Sequence, residues 1–331
     1  MRRGAGRALI GIAISVAALA FVVRSVDIGA TWQAIRSANP EWLLLLLVFV
    51  VGDVALRAVR WRVLLGPIAD VSLRTTAASL LVGYLANNVL PARLGEVVRS
   101  HHLGERARVS RSTILGTIVV ERVVDTAVVV VIAAIAILVL SVRGVVASAV
   151  MVGVALTGLL VVAIAVGMAA HRLPGANRLT VWIGQWPQVH GALVRLRVGL
   201  AIVRDVPTMA AAILLSIGSW SLTVLAFAAA AQAVGIEPTI GQAALLAAGT
   251  NLATAVPAAP GYVGTFELAA VTIATSVGIG REPALAFAVL VHAATLLLTS
   301  IGGAAVFIAG GRRHVTPVPD VDETSPVEAD A

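Results

Sequence analysis

Apolar runs long enough to cross a bilayer recur along this chain from residue 8 to residue 309, and the polar remainder is confined to the two ends, short loops and one stretch near 171–206. In hydrocarbon a backbone N–H or C=O finds no water, so every spanning segment must satisfy its own polar groups. Repeated runs of this kind predict an all-α polytopic membrane protein. Composition agrees: of 331 residues 59% are apolar and 12% charged, with a mean hydropathy of +0.97, whereas soluble domains are about one quarter charged. A water-soluble enzyme is excluded.

The 24 basic residues are all Arg and face 17 carboxylates, a net charge of +7. In a soluble chain that balance would point to nucleic acid. Here the Arg residues fall in loops between spans, where the positive-inside rule accounts for them, so no nucleic-acid partner is expected. With no Cys there is no disulfide, thiolate catalyst or Cys metal site.

Arg2, Arg3 and Arg7 precede a first apolar run, Ala8 to Val23, read as an uncleaved span rather than a signal peptide because further spans follow. Full spans are expected at 42–65, 112–140, 145–169, 208–233 and 284–309. Residues 75–90 form a shorter run, about 24 Å as a helix against a hydrocarbon core of roughly 30 Å. The polar, helix-breaking segment Asn87 to Glu96 follows it, and then Arg99, Arg106, Arg108 and Arg111. A re-entrant hairpin over 75–107 fits best. Residues 240–256 and 265–280, split by Pro257-Ala258-Ala259-Pro260-Gly261-Tyr262-Val263-Gly264, form a second hairpin or, alternatively, two full spans, which makes eight spans in all. The six-span arrangement puts 19 of the 24 Arg on one side, with both termini there, the cytoplasmic side of a bacterial inner membrane. The whole of 1–311 reads as one transmembrane domain, with 171–206 a cytoplasmic interfacial segment and 312–331 a disordered polar tail.

Both hairpins carry Gly-x7-Pro-Ala-x2-Gly, at Gly83, Pro91, Ala92, Gly95 and at Gly249, Pro257, Ala258, Gly261. Span, hairpin, span occurs at 42–140 and again at 208–309 with opposite entry sides. Inverted repeats with broken helices are the architecture of alternating-access transporters, the alternative being an old duplication with no transport role. Irregular backbone at membrane depth is tolerated only where protein buries it or a wet cavity faces it.

Glu121, Arg122 and Asp125 lie near the middle of the 112–140 span. Three such charges cost roughly 8–10 kcal/mol to insert, about what the 17 Ile, Leu and Val of that span return. They must therefore face protein or water, either as a helix-packing cluster or as a cavity wall. Glu121 and Asp125 share a face, and Arg122 and Asp125 are spaced to pair. Asp53 with Arg57 reads as a structural pair snorkelling to the cytoplasm or as a ligand pair, and His292 as a satisfied packing residue, with a proton relay the alternative. Arg93 and Arg99 flank the first break, where guanidinium forks and exposed N–H groups suit phosphate oxygens, although loop charges obeying the positive-inside rule are the competing account. No metal-ligand spacing, nucleotide-cradling loop or Ser-His-Asp arrangement occurs, so no metal, cofactor or catalytic residue is assigned.

Asn88-x2-Pro91-x-Arg93-x-Gly95-Glu96-x2-Arg99, Glu121-Arg122-x2-Asp125 and Pro260-Gly261-x2-Gly264-x-Phe266-Glu267, in that order, resemble the flippase-like transmembrane family of bacterial lysylphosphatidylglycerol synthases and their stand-alone relatives, over roughly residues 10–310. The resemblance implies translocation of an anionic or aminoacylated phospholipid, or of a polyprenyl-linked lipid. Because the chain ends in a short polar tail rather than an aminoacyl-transfer domain, synthase activity is not carried over, and a lipid-modifying enzyme encoded separately is the implied partner. The substrate-binding residues expected on this basis are Asn87, Asn88, Arg93, Gly95, Glu96, Arg99, Glu121, Arg122, Asp125, Gly261, Tyr262, Gly264 and Glu267. Two other readings stay open: an intramembrane transferase acting on a lipid-linked substrate, and an ion-coupled carrier of a small anion that needs Glu96 or Glu267.

Overall fold

A computed structural model describes residues 2–90, 94–148, 151–153, 155, 158–159, 198–254 and 258–311, and all regular structure among them is helical. Helix α1 (Arg2–Ser25) bends by 88° into α2 (Ile28–Arg36), so helix continues past the first apolar run. Next come α3 (Pro40–Leu65), α4 (Leu73–Val89), α5 (Gly95–Ala107) and α6 (Arg111–Leu140). After residue 198 the chain forms α7 (Val206–Ala233), α8 (Ile240–Ala253), α9 (Thr265–Ser276) and α10 (Arg281–Gly311). Helices α3, α6, α7 and α10 are long and apolar enough to cross a bilayer. The expected span at 145–169 is helical wherever it is described, and the rest of it, residues 171–197 and the tail from 312 lie outside the described residues.

Side-chain caps set where several helices start. Asn39 accepts from the Glu41 N–H with Pro40 at the first turn, Ser72 from Thr75 and Ser110 from Thr113, while Thr239 and Gln242 form a reciprocal capping box. The four helices between the spans are short. At 17, 13, 14 and 12 residues, α4, α5, α8 and α9 reach about 18–26 Å, less than a hydrocarbon core. They pair as α4 with α5 and α8 with α9, giving the two broken hairpins.

Spans α3 and α7 lie side by side and antiparallel: the Asn39 N–H donates to Ala233 O at 2.8 Å, Gly52 faces Leu222, and Leu56 faces Gly218. Each hairpin's first arm packs against the other half's last span, α4 on α10 and α8 on α6. On α10, Gly303 allows the backbone to approach Leu81 and Leu85 closely, as small residues do where membrane helices meet. One apolar core, with Trp61, Leu65, Leu80, Leu103 and Ile114, joins α3 to α6; another, with Phe227, Leu245, Leu246, Phe266 and Phe287, joins α7 to α10. Exposed Leu138, Leu214, Ile301 and Phe307 cover the outside of the spans, where lipid is the solvent.

The repeated glycines have a steric reason in the first hairpin. A Cβ on Gly95 would fall 2.1 Å from Gly83 O and 2.5 Å from Asn87 Oδ1, so α4 and α5 meet backbone to backbone. Gly95→Ala is expected to lower thermal stability in detergent by about 1–3 kcal/mol, the usual cost of overpacking. Gly158→Ala, with nothing among the described residues within 4 Å of its added methyl, should not lower it. Identical melting curves for the two variants would contradict this close approach.

Candidate functional site

Residues four and three apart along α3, Asp53, Arg57 and Arg60, share one helix face, and that face meets Glu121 and Asp125 on α6. Arg60 is fully buried and its guanidinium is the hub. Its Nη1 donates to Asp125 Oδ1 and, at 2.7 Å, to Ser216 Oγ, and its Nη2 donates to Asp125 Oδ2 at 2.9 Å and to Glu121 Oε1 at 3.2 Å. Asp125 also accepts from Trp220 Nε1 at 3.2 Å and from Arg57 Nη1 at 3.4 Å. Arg57 donates to both oxygens of Asp53 at 2.9 Å, and Ser219 donates to Asp53 as well.

Arg99 arrives from α5. It pairs with Glu121 at 3.1 Å and stacks on Trp61 at 4.7 Å, and the Trp61 indole N–H is held by Thr117. Arg122 pairs with Glu121 at 3.3 Å and lies 3.9 Å from Glu96. Four guanidinium groups and four carboxylates therefore form one cluster with no net charge, which is the condition under which charge can be buried at this depth.

A cavity of about 380 Å³ opens beside the cluster. Asp53, Arg57, Tyr84, Asn87, Arg122 and Asp125 line it from the first half, and Asn251, Tyr262, His292, Thr295 and Thr299 line it from the second. Of its charged lining, Arg122 is the most open: its side chain is 42% exposed, while its Nε is buried on the side of Glu96.

Both hairpin breaks border this space. At the first, Asn87 Oδ1 accepts from the Gly95 N–H at 2.8 Å, and Asn88 Nδ2 donates to Thr299 and Ser300 of α10 at 3.0 and 2.9 Å. At the second, Gly261, Tyr262 and Gly264 have φ of 68°, 59° and 88°, which makes a tight turn between α8 and α9. His292 of α10 joins that turn: its Nε2 lies 2.7 Å from Gly261 O and its Nδ1 2.6 Å from Glu267 Oε1. The other oxygen of Glu267 accepts from the Gly264 N–H at 2.6 Å.

Among the expected site residues, Asn87, Asn88, Arg122, Asp125 and Tyr262 line the cavity. Glu121 and Arg99 are buried in the cluster behind it, Glu96 borders Arg122, and Gly95, Gly261, Gly264 and Glu267 build the breaks. Arg93 lies outside the described residues. Two expectations are corrected. Asp125 is saturated by Arg60, Arg57 and Trp220, so Arg122 turns to Glu121 and Glu96 rather than to Asp125. Asp53 and Arg57 do not snorkel away but join the cluster and line the cavity. Arg60, Ser216, Ser219 and Trp220 were not foreseen; the spacing 53, 57, 60 along α3 was the available signal.

The family model for the lysylphosphatidylglycerol synthase TM region matches residues 8–303, which include every cluster and cavity residue. The chain belongs to that family. Within the lysylphosphatidylglycerol synthase TM region family and beyond, it is similar to the UPF0104 membrane protein of Methanothermobacter thermautotrophicus, 33% identical over 118 residues that make up 35% of each chain. It is also similar to glycosyltransferase AglD of Haloferax volcanii, 26% identical over 339 aligned positions that cover 90% of this chain and 54% of the relative. The chain spans about half the length, or less, of these curated relatives. Membership and the apolar helices make it a multi-pass membrane protein with a lipid-related function.

Removing the hub leaves the buried Glu121 and Asp125 short of positive charge, a change that costs about 3–5 kcal/mol in comparable buried pairs. Arg60→Met is therefore expected to abolish or sharply reduce folded yield, as seen by size-exclusion profile and thermal stability, while Arg36→Gln on α2 does neither. Normal folding of Arg60→Met would show that the cluster is not needed to hold the helices together.

Proposed function

We propose that this protein is a lipid translocase whose cavity carries the phosphate-bearing head group of an anionic phospholipid or polyprenyl-linked lipid, while the acyl or prenyl chains stay in the bilayer. The observation that carries the reading is Arg122, a guanidinium side chain 42% exposed in the wall of a cavity between the two hairpin breaks. Guanidinium forks bind phosphate oxygens bidentately, and a space of this size lies within the range of small-ligand sites.

The arrangement of hairpins supports movement. Exchanging the halves maps α3 onto α7, α4 onto α8 and α6 onto α10, and the packing of α4 on α10 then becomes that of α8 on α6. We read this as an inverted repeat whose two arrangements open the cavity to opposite sides in turn. The orientation that places most Arg in the cytoplasm puts both termini there, in a plasma membrane. A separately encoded lipid-modifying enzyme is the natural supplier of its substrate.

The transferase reading has the match to AglD behind it. Against it, the cavity carboxylates Asp53 and Asp125 are each held by guanidinium and other donors, which suits electrostatic structure better than acid/base exchange.

Proteoliposomes carrying fluorescent phosphatidylglycerol or fluorescent polyprenyl phosphate, bleached from outside, separate the two substrate classes. Wild type should move one of them faster than protein-free vesicles, and Arg122→Gln should slow that movement about tenfold or more, the equivalent of one lost charge-assisted hydrogen bond. Equal rates for Arg122→Gln and wild type, or no acceleration by wild type, would remove the basis of this reading.

A further inference from the structure

The contacts of His292 contain a proton count. Gly261 O can only accept a hydrogen bond, and an ionised Glu267 can only accept. The two ring nitrogens stand 2.7 Å from one and 2.6 Å from the other, and flipping the ring would press carbons against both acceptors. Satisfying both contacts needs a hydrogen on Nε2 and a second hydrogen between Nδ1 and Glu267 Oε1. Imidazolium with carboxylate and imidazole with carboxylic acid both meet that requirement. In either form the pair holds one proton more than a neutral imidazole beside a carboxylate, and it carries no net charge.

Loss of that proton leaves a single ring N–H for two acceptors. One contact must then break, and both lie on the same structure: Gly261 opens the turn, and Glu267 holds the Gly264 N–H that closes it. The turn is already strained toward release, with the non-glycine Tyr262 at φ 59°. His292 and Tyr262 both line the cavity, so the proton and the head group share one chamber.

Along the helices of the second half the pair has few ionisable companions; Glu237 lies in the loop before α8, and α2, packed on α10, brings Asp27 at its N-cap and Arg36 in its last turn. Helices α7, α8 and α9 contain no ionisable side chain other than Glu267, and α10 adds only Arg281 and Glu282 at its first turn. Across the cavity stand Asp53, Arg57, Tyr84, Arg122 and Asp125, the carboxylates among them already bound to guanidinium groups, with Tyr262 on the turn itself. From α1, Ser15 contributes a neutral hydroxyl that accepts from the Ala259 N–H, and Phe266 stacks on the imidazole at 4.2 Å.

We propose that Glu267 and His292 hold one exchangeable proton whose release frees the Gly261–Gly264 turn from α10, so that the pair is a proton site coupled to opening of the cavity. Its coupling to lipid movement rests on the translocase reading above; the proton site itself does not.

The chain has no Cys, so one introduced thiol reports alone. Val263, in the turn and 44% exposed, accepts that reporter. Val263→Cys carrying an environment-sensitive bimane, in nanodiscs of phosphatidylglycerol and phosphatidylethanolamine, is titrated across the whole pH range in which the protein stays folded. The emission should shift along a one-proton curve. In a Glu267→Gln background the midpoint should move to lower pH, because the amide N–H₂ can donate to Nδ1 while the Nε2–H stays on Gly261, and no carboxylate holds the extra proton. A flat curve in the Val263→Cys protein alone, or an unchanged curve with Glu267→Gln, overturns the proton site. Translocation of fluorescent phosphatidylglycerol should respond to an imposed pH gradient and lose that response with Glu267→Gln. A gradient-independent rate overturns the coupling, and absence of any translocation bears on the translocase reading while the bimane curve still decides the proton site.

Discussion

The fold depends on Arg60. A guanidinium with no solvent exposure would be intolerable in a dry interior alone, and so would the buried carboxylates Glu121 and Asp125. Together, and with Arg57, Arg99, Arg122, Asp53 and Glu96, they cancel. Because the partners sit on α3, α5 and α6, with Ser216 and Trp220 added from α7, the cancellation requires those four helices to be assembled. The cluster is thus a device for specifying which helices meet and at what depth, in a solvent where apolar faces alone discriminate poorly between partners.

The two halves use the same skeleton for different chemistry. In the first, the hairpin break is held by a side-chain amide, with Asn87 capping α5 across the gap, and the charge lies behind it in the cluster. In the second, the break is a positive-φ turn clamped by His292 and Glu267, with no guanidinium nearby on α7, α8 or α9. The cavity lies between a charged wall and a polar wall.

Much of this was legible in the sequence because lipid imposes strong rules. Span lengths at 42–65, 112–140, 208–233 and 284–309 follow from the bilayer, and the helices found there begin and end within a few residues of those bounds. The short runs around Asn87 to Glu96 and Pro257 to Gly264 announced their breaks through Pro and Gly. Partner choice was not legible. Arg122 and Asp125 are well spaced to pair, yet Asp125 goes to Arg60, a residue that sequence reading counts among cytoplasmic Arg because it sits near the end of its span. Pairing between helices depends on which faces meet, and local spacing carries no term for that. His292 reads as isolated along α10 for the same reason, since Glu267 and Gly261 reach it from another element.

The central claim is that compensated charge and interrupted helices surround a wet chamber inside the membrane. Water access to single cysteines tests it most directly. Thr126→Cys and Thr295→Cys, on opposite walls of the cavity, should react with a membrane-impermeant thiol reagent in intact vesicles, whereas Leu138→Cys, 78% exposed on the lipid-facing side of α6, should not. If both wall positions stay as unreactive as Leu138→Cys, the chamber is dry and the account is wrong.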